Sequence, residues 1–140
     1  MKRILALCTI LMLLFAGCAS ADKEMYETFT ATAQEIEAYD AEWQENATTQ
    51  LELNTSSQTS YIKWDTLLND IYQYLKETLP ADEFEVLESE QIQWIKEKEE
   101  AIENATKEWS GGSGEAMVHF GTAAEYTKDR CYYLLTYISN

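Results

Sequence analysis

The sequence predicts an all-α fold, a small antiparallel bundle of about four helices whose central helical hairpin turns at Pro80. Two observations favour this class. Apolar residues recur at steps of three and four along most of the 140-residue chain, and strand-like alternation persists nowhere. The chain also holds a single proline, and three of its five glycines fall within residues 110–114, so few positions interrupt a helix.

The first residues predict an export signal. Residues 1–3 form a short basic segment, and the apolar run of residues 4–15 is too short for a membrane-spanning helix. The run ends at Gly17-Cys18, which resembles the bacterial lipobox, although Phe15 stands where leucine is usual. The pattern therefore predicts that Cys18 is lipidated and becomes the mature N-terminus.

These signals divide the chain into three parts. We predict a lipoprotein signal peptide over residues 1–17, a tether over residues 18–23 and a single helical domain over residues 24–140. The alternative is an ordinary secretory signal cut near residues 19–21.

The domain opens with a predicted helix over residues 24–46. Phe29, Ile36 and Trp43 follow each other at seven-residue spacing, and the segment holds no glycine or proline. This pattern is typical of an amphipathic helix. Residues 47–60 are rich in threonine, serine, asparagine and glutamine, which favours a loop before the next helix.

A core stripe predicts the second helix. Its members recur at alternating steps of three and four: Tyr61, Trp64, Leu68, Ile71 and Leu75. Pro80 ends this helix, because proline lacks a backbone donor and restricts the residue before it. Pro80 equally suits the first turn of a third helix, where nearby acidic residues complement the helix dipole.

The third helix has the clearest periodicity in the chain. Its stripe consists of Phe84, Leu87, Gln91, Trp94, Lys98, Ala101, Ala105 and Trp109, with Ile95 and Ile102 beside them. We expect Trp94 to be the best-buried aromatic residue. A flexible Gly-rich break over residues 110–114 then precedes a last helix that runs from near Glu115 or Thr122 to Ile138. Its inward residues are expected to be Met117, Ala124, Thr127, Cys131, Leu134 and Ile138.

Polar residues of the second and third helices are expected to form one seam: Asp65, Asn69, Tyr72, Gln91 and Lys98. If the two helices fold back at Pro80, Asn69 faces Gln91 and Asp65 lies near Lys98. Buried polar groups must be paired. We therefore predict an Asn69–Gln91 amide pair and an Asp65–Lys98 ion pair.

Little in the sequence points to an enzyme, a metal site or a cofactor. His119 is the only histidine, which argues against metal binding through imidazole. No nucleophile–base pair and no Gly-rich phosphate loop is present. The seam contains a carboxylate, an amine and a phenol, which leaves a catalytic interpretation open, but we interpret these residues as structural.

The composition predicts cationic partners. The formal net charge is −15, and removal of a signal that contains Lys2 and Arg3 makes it −17. Such a surface repels nucleic acid and anionic lipid and attracts cationic proteins. Of the three cysteines, Cys8 would leave with the signal and Cys18 would carry lipid. Cys131 is then the only free thiol, and no intrachain disulfide can form.

One ordered set of residues spans most of the predicted domain. It reads Gln50-x-Glu52-Leu53-Asn54, Tyr61, Asp65-x-x-Leu68-Asn69-x-x-Tyr72, Leu79-Pro80, Leu87, Gln91-x-x-Trp94-Ile95, Gly111-Gly112 and Thr127-x-x-Arg130-x-x-x-Leu134. This set resembles the LprI-like lysozyme inhibitor domain, a small helical domain of bacterial envelope proteins, with the match strongest over residues 50–138. The resemblance implies that these are family-motif residues with structural roles: Asp65, Asn69, Tyr72, Gln91, Trp94, Lys98 and Arg130.

The chain departs from that family at two places. The resemblance implies an arginine where Lys98 stands, so an ion pair here should be less constrained. It also implies a cysteine pair at the positions of Ser56 and Ile102, and neither residue is a cysteine. The hydrophobic core must therefore hold the fold without a disulfide.

The resemblance and the charge together predict an acidic lipoprotein, exported and lipid-anchored to the membrane of the bacterial cell envelope, that binds and inhibits a cationic lysozyme. The alternative is a generic envelope interaction or structural lipoprotein without lysozyme inhibition. Polar loops on a rigid frame commonly carry recognition. Residues 110–114 and 47–60 are therefore the expected contact regions, and no cofactor is expected.

Replacing Cys18 by alanine should abolish membrane anchoring. Lipid chains add about 0.8 kcal/mol of membrane affinity per buried methylene, so several chains hold a protein firmly. Cell fractionation should find wild type with the membranes, and Cys18→Ala as soluble protein or as unprocessed precursor. Cys8→Ala is the matched control and should behave as wild type. A Cys18→Ala protein of mature size that stays with the membranes would contradict the lipid anchor.

Overall fold

The computed structural model describes residues 2–139, with side chains from Ser20 onward. It contains four α-helices: α1 over Lys2–Asn46, α2 over Gln50–Thr78, α3 over Ala81–Thr106 and α4 over Glu115–Leu135. A 3₁₀ turn over Lys107–Trp109 follows α3. No strand occurs within residues 2–139. The prediction of an all-α bundle is confirmed.

The loop predicted within residues 47–60 is present but occupies only residues 47–49, because α2 already begins at Gln50. The Thr49 hydroxyl accepts a hydrogen bond from the backbone N–H of Glu52 (3.2 Å), and the Glu52 carboxylate accepts from the backbone N–H groups of Thr48 and Thr49 (2.9 Å each). These backbone bonds lower the pKa of Glu52. The arrangement is a capping box, which satisfies N–H groups that a helix start leaves open.

The polar composition of this segment serves the helix in another way. Ser57 and Ser60 are buried, so they allow close packing of the first half of α2. The Thr59 hydroxyl donates to the backbone carbonyl of Thr55 within the same helix (2.9 Å). Serine and threonine therefore contribute to a tightly packed helix here, although their abundance favoured a loop.

Helix α4 packs against both α2 and α3, and α1 packs against α2. Helix α2 ends at Thr78 and α3 begins at Ala81, with Pro80 at the N-cap position of α3. Next to this connection the rings of Tyr72 and Phe84 lie 5.4 Å apart, which joins the two helices. The close antiparallel hairpin about Pro80 stays a prediction.

The helical stripes correctly predicted most of the core. Buried residues of the predicted stripes are Phe29, Ile36, Trp64, Leu68, Ile71, Leu75, Leu87, Trp94, Ala124, Thr127, Cys131, Leu134 and Ile138. The stripe of α3 is the exception, since only Leu87 and Trp94 are buried there. Trp109 is 45% exposed and Ile95 is also exposed. Helix α3 packs mainly against α4, so fewer of its stripe residues are fully covered.

Trp64, rather than Trp94, is the best-buried aromatic residue. Its exposed fraction is 0%, against 9% for Trp94. The Trp64 indole N–H donates to Asp40 Oδ2 of α1 (2.9 Å), so its polar atom is satisfied inside the bundle. Trp94 lies on α3, which fewer helices cover. The prediction for Trp94 was therefore wrong in rank, although Trp94 does belong to the core.

The predictions for the N-terminus concern residues 1–23, whose side chains the structure describes only from Ser20 onward. The segment interpreted as a tether, residues 18–23, belongs to α1. The side chain of Cys18 lies outside the described residues, so signal cleavage and lipidation stay predictions. In the part of the chain that the structure covers, no helix has both the length and the apolar character needed to span a membrane.

The positions implied for a cysteine pair lie on different helices. Ser56 lies on α2 and borders a cavity together with Tyr39 and Trp43 of α1. Ile102 lies on α3, which packs against α4. Among the described residues the one cysteine, Cys131, is free and buried. Burial raises the pKa of this thiol to about 12, so it stays protonated and unreactive at neutral pH.

Trp64→Ala should lower the free energy of unfolding by about 3–5 kcal/mol, because it leaves a cavity where a fully buried aromatic ring was. Trp109→Ala removes the same side chain from an exposed position and should cost roughly 1 kcal/mol or less. Urea unfolding of both variants, in the chain from residue 19 onward, checks this. Equal costs for the two variants would show that Trp64 does not hold the core together.

Candidate functional site

Arg130 joins α4 to α3 through several contacts at once. Its Nε donates to Gln91 Oε1 at 2.8 Å. Its guanidinium carbon lies 4.6 Å from the ring centre of Tyr133 and 5.9 Å from that of Trp94, within the range of cation–π attraction. Its Nη2 lies 3.8 Å from Glu90 Oε2. A cation is therefore held between two aromatic rings, an amide and a carboxylate.

Two tyrosines complete this group, which we call the Arg130 cluster: Glu90, Gln91, Trp94, Arg130, Tyr133 and Tyr137. The Tyr133 hydroxyl donates to Glu90 Oε2 (2.8 Å), and the hydroxyls of Tyr133 and Tyr137 lie 3.3 Å apart. The hydrogen bond with Tyr137 and then the one with Glu90 raise the pKa of Tyr133. Tyr133 is therefore neutral at physiological pH and can serve as a donor.

The Arg130 side chain is only 10% exposed, so its charge is partly removed from water. Burial lowers the pKa of Arg130, while the carboxylate of Glu90 acts in the opposite direction. Nη2 is buried and has no hydrogen-bond partner among the described residues. The distance of 3.8 Å to Glu90 gives Nη2 electrostatic compensation without a hydrogen bond.

The two polar pairs predicted for the seam do not form. Gln91 accepts from Arg130, and the Asn69 amide donates to the backbone carbonyl of Asp65 (2.7 Å) on its own helix. Lys98 Nζ lies over the rings of Trp94 (4.8 Å) and Tyr61 (5.4 Å). The prediction considered two helices only, whereas α4 contributes Arg130 and takes the partner that Asn69 was expected to have.

The remaining motif residues serve separate contacts. The Tyr61 hydroxyl lies 3.5 Å from Asp65 Oδ1, and Asp65 and Asn69 stay together on the outer part of α2. Tyr72 packs against Phe84 of α3. The structure thus brings Gln91, Trp94, Lys98 and Arg130 together and leaves Asp65, Asn69 and Tyr72 apart from them.

Sequence reasoning missed three members of the Arg130 cluster, Glu90, Tyr133 and Tyr137. Tyr133 and Tyr137 stand three and seven residues after Arg130, a spacing that puts residues on one face of a helix, and Tyr137 lies in the turn directly after α4. That spacing was visible in the sequence. Glu90 gave no such signal, because its neighbours on α3 include many other glutamates.

The segment predicted as a flexible break is a hydrogen-bonded turn against the start of α2. The Asn54 amide donates to the Ser113 carbonyl (2.9 Å) and the Gly111 N–H donates to the Glu115 carboxylate (2.7 Å). Gly111 has a φ of +75°, which favours glycine. A Cβ at Gly114 would lie 2.8 Å from the Trp109 ring, so only glycine allows that ring to pack there.

Both expected contact regions therefore meet at one end of the bundle, which we call the turn end: residues 107–114 with the first residues of α2. Its exposed apolar side chains are Trp109 and Leu51, the latter 75% exposed. The ring of Trp109 is fixed over Gly114 although it faces water. A fixed, exposed aromatic ring is a common anchor in protein interfaces.

Among the described residues, no group of three or more His, Cys, Asp or Glu side chains could hold a metal ion.

The family model described as "Lysozyme inhibitor LprI" matches residues 41–134, about two thirds of the chain. The chain belongs to the LprI lysozyme inhibitor family. The resemblance seen in the sequence is thereby confirmed. Neither the curated proteins nor the solved structures gave a match.

The LprI match begins in α1 and ends near the end of α4, so it contains parts or all of every helix. It includes the whole turn end and, apart from Tyr137, the Arg130 cluster. Within this domain the cluster lies between α3 and α4 and is partly buried, as expected of a structural contact. The turn end is the part of the LprI domain that offers an exposed, fixed surface.

Arg130→Ala should lower the free energy of unfolding by about 1.5–3 kcal/mol, because it leaves Gln91 and Glu90 without their charged partner. Arg130→Lys should restore only part of this, since an ammonium lacks the planar group that contacts the rings. Lys23→Ala, which breaks an exposed ion pair with Glu27 (3.8 Å), is the control and should cost about 1 kcal/mol at most. Urea unfolding gives the three values. Wild-type stability in Arg130→Lys would show that the guanidinium geometry is irrelevant.

Proposed function

We propose that this protein binds and inhibits a cationic lysozyme. Membership of the LprI lysozyme inhibitor family carries the proposal. Inhibition by binding needs a stable frame, an exposed contact surface and a way to attract the enzyme, and the bundle offers a candidate for each.

The charge of the chain supports an encounter with a cationic enzyme. The chain holds 25 acidic and 10 basic residues. Among the described side chains only three ion pairs form, Lys23–Glu27, Lys128–Glu37 and Arg130–Glu90. Most carboxylates therefore have no cation within ion-pair distance. A field of one sign raises the association rate of an oppositely charged protein.

The turn end is the proposed contact surface. Trp109 provides an exposed aromatic ring, and Asn54 fixes the turn through the Ser113 carbonyl. Because the turn is already ordered, binding loses little conformational freedom there. The other exposed apolar residues lie on the faces of α2, α3 and α4, where Ile92 and Ile95 stand one turn apart, and none of them belongs to an ordered turn.

Lipidation of Cys18 would place this domain at the membrane surface of the bacterial cell envelope, outside the cytoplasm, where lysozyme arrives. The family supports such a location, and the signal at residues 1–18 supports the anchor. The first core residue of the bundle is Phe29, which follows Cys18 by 11 residues in the sequence. An anchored inhibitor would then protect the cell wall close to its own membrane.

The chain from residue 19 onward should reduce lysozyme activity on bacterial cells in a turbidity assay. In binding measurements across a salt series, the association rate should fall several-fold from low to high salt while the dissociation rate changes less, because the Debye length shrinks to about 8 Å at physiological ionic strength. Trp109→Ala should accelerate dissociation and weaken inhibition. Ile62→Ala, which removes an exposed apolar residue of α2, is its control.

Absence of binding at low salt would reject lysozyme inhibition for that enzyme. The generic envelope lipoprotein would then be the better account. Binding that Trp109→Ala leaves unchanged would retain the function and move the contact surface away from the turn end.

A further inference from the structure

A cavity of about 220 Å³ lies where α1, α2 and α4 meet, away from both the Arg130 cluster and the turn end. Four of its lining residues are small: Ser57 and Ser60 on α2, and Gly121 and Ala124 on α4. A Cβ built on Gly121 would have no atom within 4 Å, so the space beside this helix is open. Glycine within a helix costs stability relative to alanine, and here it leaves room at the cavity wall.

The walls of the cavity combine aromatic rings with carboxylates. Trp43 and Trp64 line it, and both indole N–H groups donate to Asp40, at 3.2 and 2.9 Å. Trp64 is fully buried, so the indole whose carbon surface a ligand can reach is that of Trp43, which is only partly buried. Asp40 and Glu125 also line the cavity and take part in no ion pair among the described residues.

The remaining polar groups of the wall favour a cation as well. Lys128 is a lining residue, but its ammonium already pairs with Glu37 at 3.0 Å. Ser60 is 3% exposed and lines the cavity. A serine hydroxyl can accept a hydrogen bond from a guanidinium.

We propose that this cavity binds an arginine side chain that a protein partner inserts between α1, α2 and α4. A volume of about 220 Å³ is below the usual range for pockets that hold a whole small-molecule ligand. It is large enough for one long side chain. A guanidinium is planar, stacks on aromatic rings and pairs with carboxylates, and the walls supply both. The inference rests on the proposed function for its partner, a cationic lysozyme.

The chemistry of the cavity can be tested without lysozyme. The full-length chain, labelled with ¹⁵N and purified in a non-ionic detergent, is titrated with n-butylguanidinium while the indole N–H signals are followed by NMR. The signals of Trp43 and Trp64 should shift in a saturable way, and those of Trp94 and Trp109 should not. The shift should be larger than with n-butylammonium at the same concentration, because an ammonium cannot stack on the rings.

Gly121 offers a variant that closes the cavity and a matched control. Gly121→Leu places a side chain in the open space and should abolish the response to n-butylguanidinium. Gly121→Ala leaves most of the space and should retain it. Both variants should melt at or above the wild-type temperature, since neither places its Cβ within 4 Å of another atom. A response that survives in Gly121→Leu overturns the proposal.

The same variants connect the cavity to the partner. Gly121→Leu should bind a cationic lysozyme at least tenfold more weakly than Gly121→Ala. Glu125→Gln should weaken binding more than Glu99→Gln, which makes the same charge change at an exposed position of α3. Lysozyme binding with equal affinity by Gly121→Leu and Gly121→Ala overturns the cavity proposal and leaves lysozyme inhibition intact. A saturable shift without lysozyme binding rejects lysozyme as the partner and supports a guanidinium site for another protein.

Discussion

The packing of the buried Trp64 side chain is the interaction on which the other contacts of the bundle depend. Its ring lies between three helices, and the hydrogen bond from its indole to Asp40 ties α2 to α1. On the other side, the Sγ of Cys131 lies 3.5 Å from the Trp64 carbonyl, and the ring of Tyr132 is 6.2 Å from the indole. One residue thus fixes the spacing of α1, α2 and α4. The position of α4 in turn decides where Arg130 reaches α3.

This arrangement explains how a short acidic chain can keep one structure without a disulfide in its described part. Helices α2 and α4 share the largest interface, and small buried residues such as Ser57, Ala123 and Thr127 let them approach closely. Close approach places the large side chains of one helix between those of the other, which raises the packing density. The described part of the bundle therefore relies on packing rather than on a covalent link.

The sequence predicted the faces of the helices well and their mutual contacts poorly. Leu68, Ile71 and Leu75 are buried because helical periodicity alone sets which face is apolar, and this information is local. The partner of Gln91 is Arg130, 39 residues away on α4, and no local pattern contains that information. The predicted length of the loop before Tyr61 was wrong for a different reason. Its polar residues form the cap of a helix and small contacts inside it, and composition does not distinguish these from a loop.

The cations of this chain are placed in an unusual way, and this connects stability with the proposed function. Lys63, Lys98, Lys128 and Arg130 all lie over aromatic rings, within about 6 Å of a ring centre. They thereby contribute to packing within the bundle, and of these four only Lys128 and Arg130 also pair with a carboxylate, Glu37 and Glu90 respectively. Self-repulsion among the carboxylates of the chain costs some stability, and the packing around Trp64 has to offset it. The same excess of negative charge attracts a cationic enzyme over a long range. The charge that lowers the stability of the fold is therefore also the charge that favours association with the proposed partner.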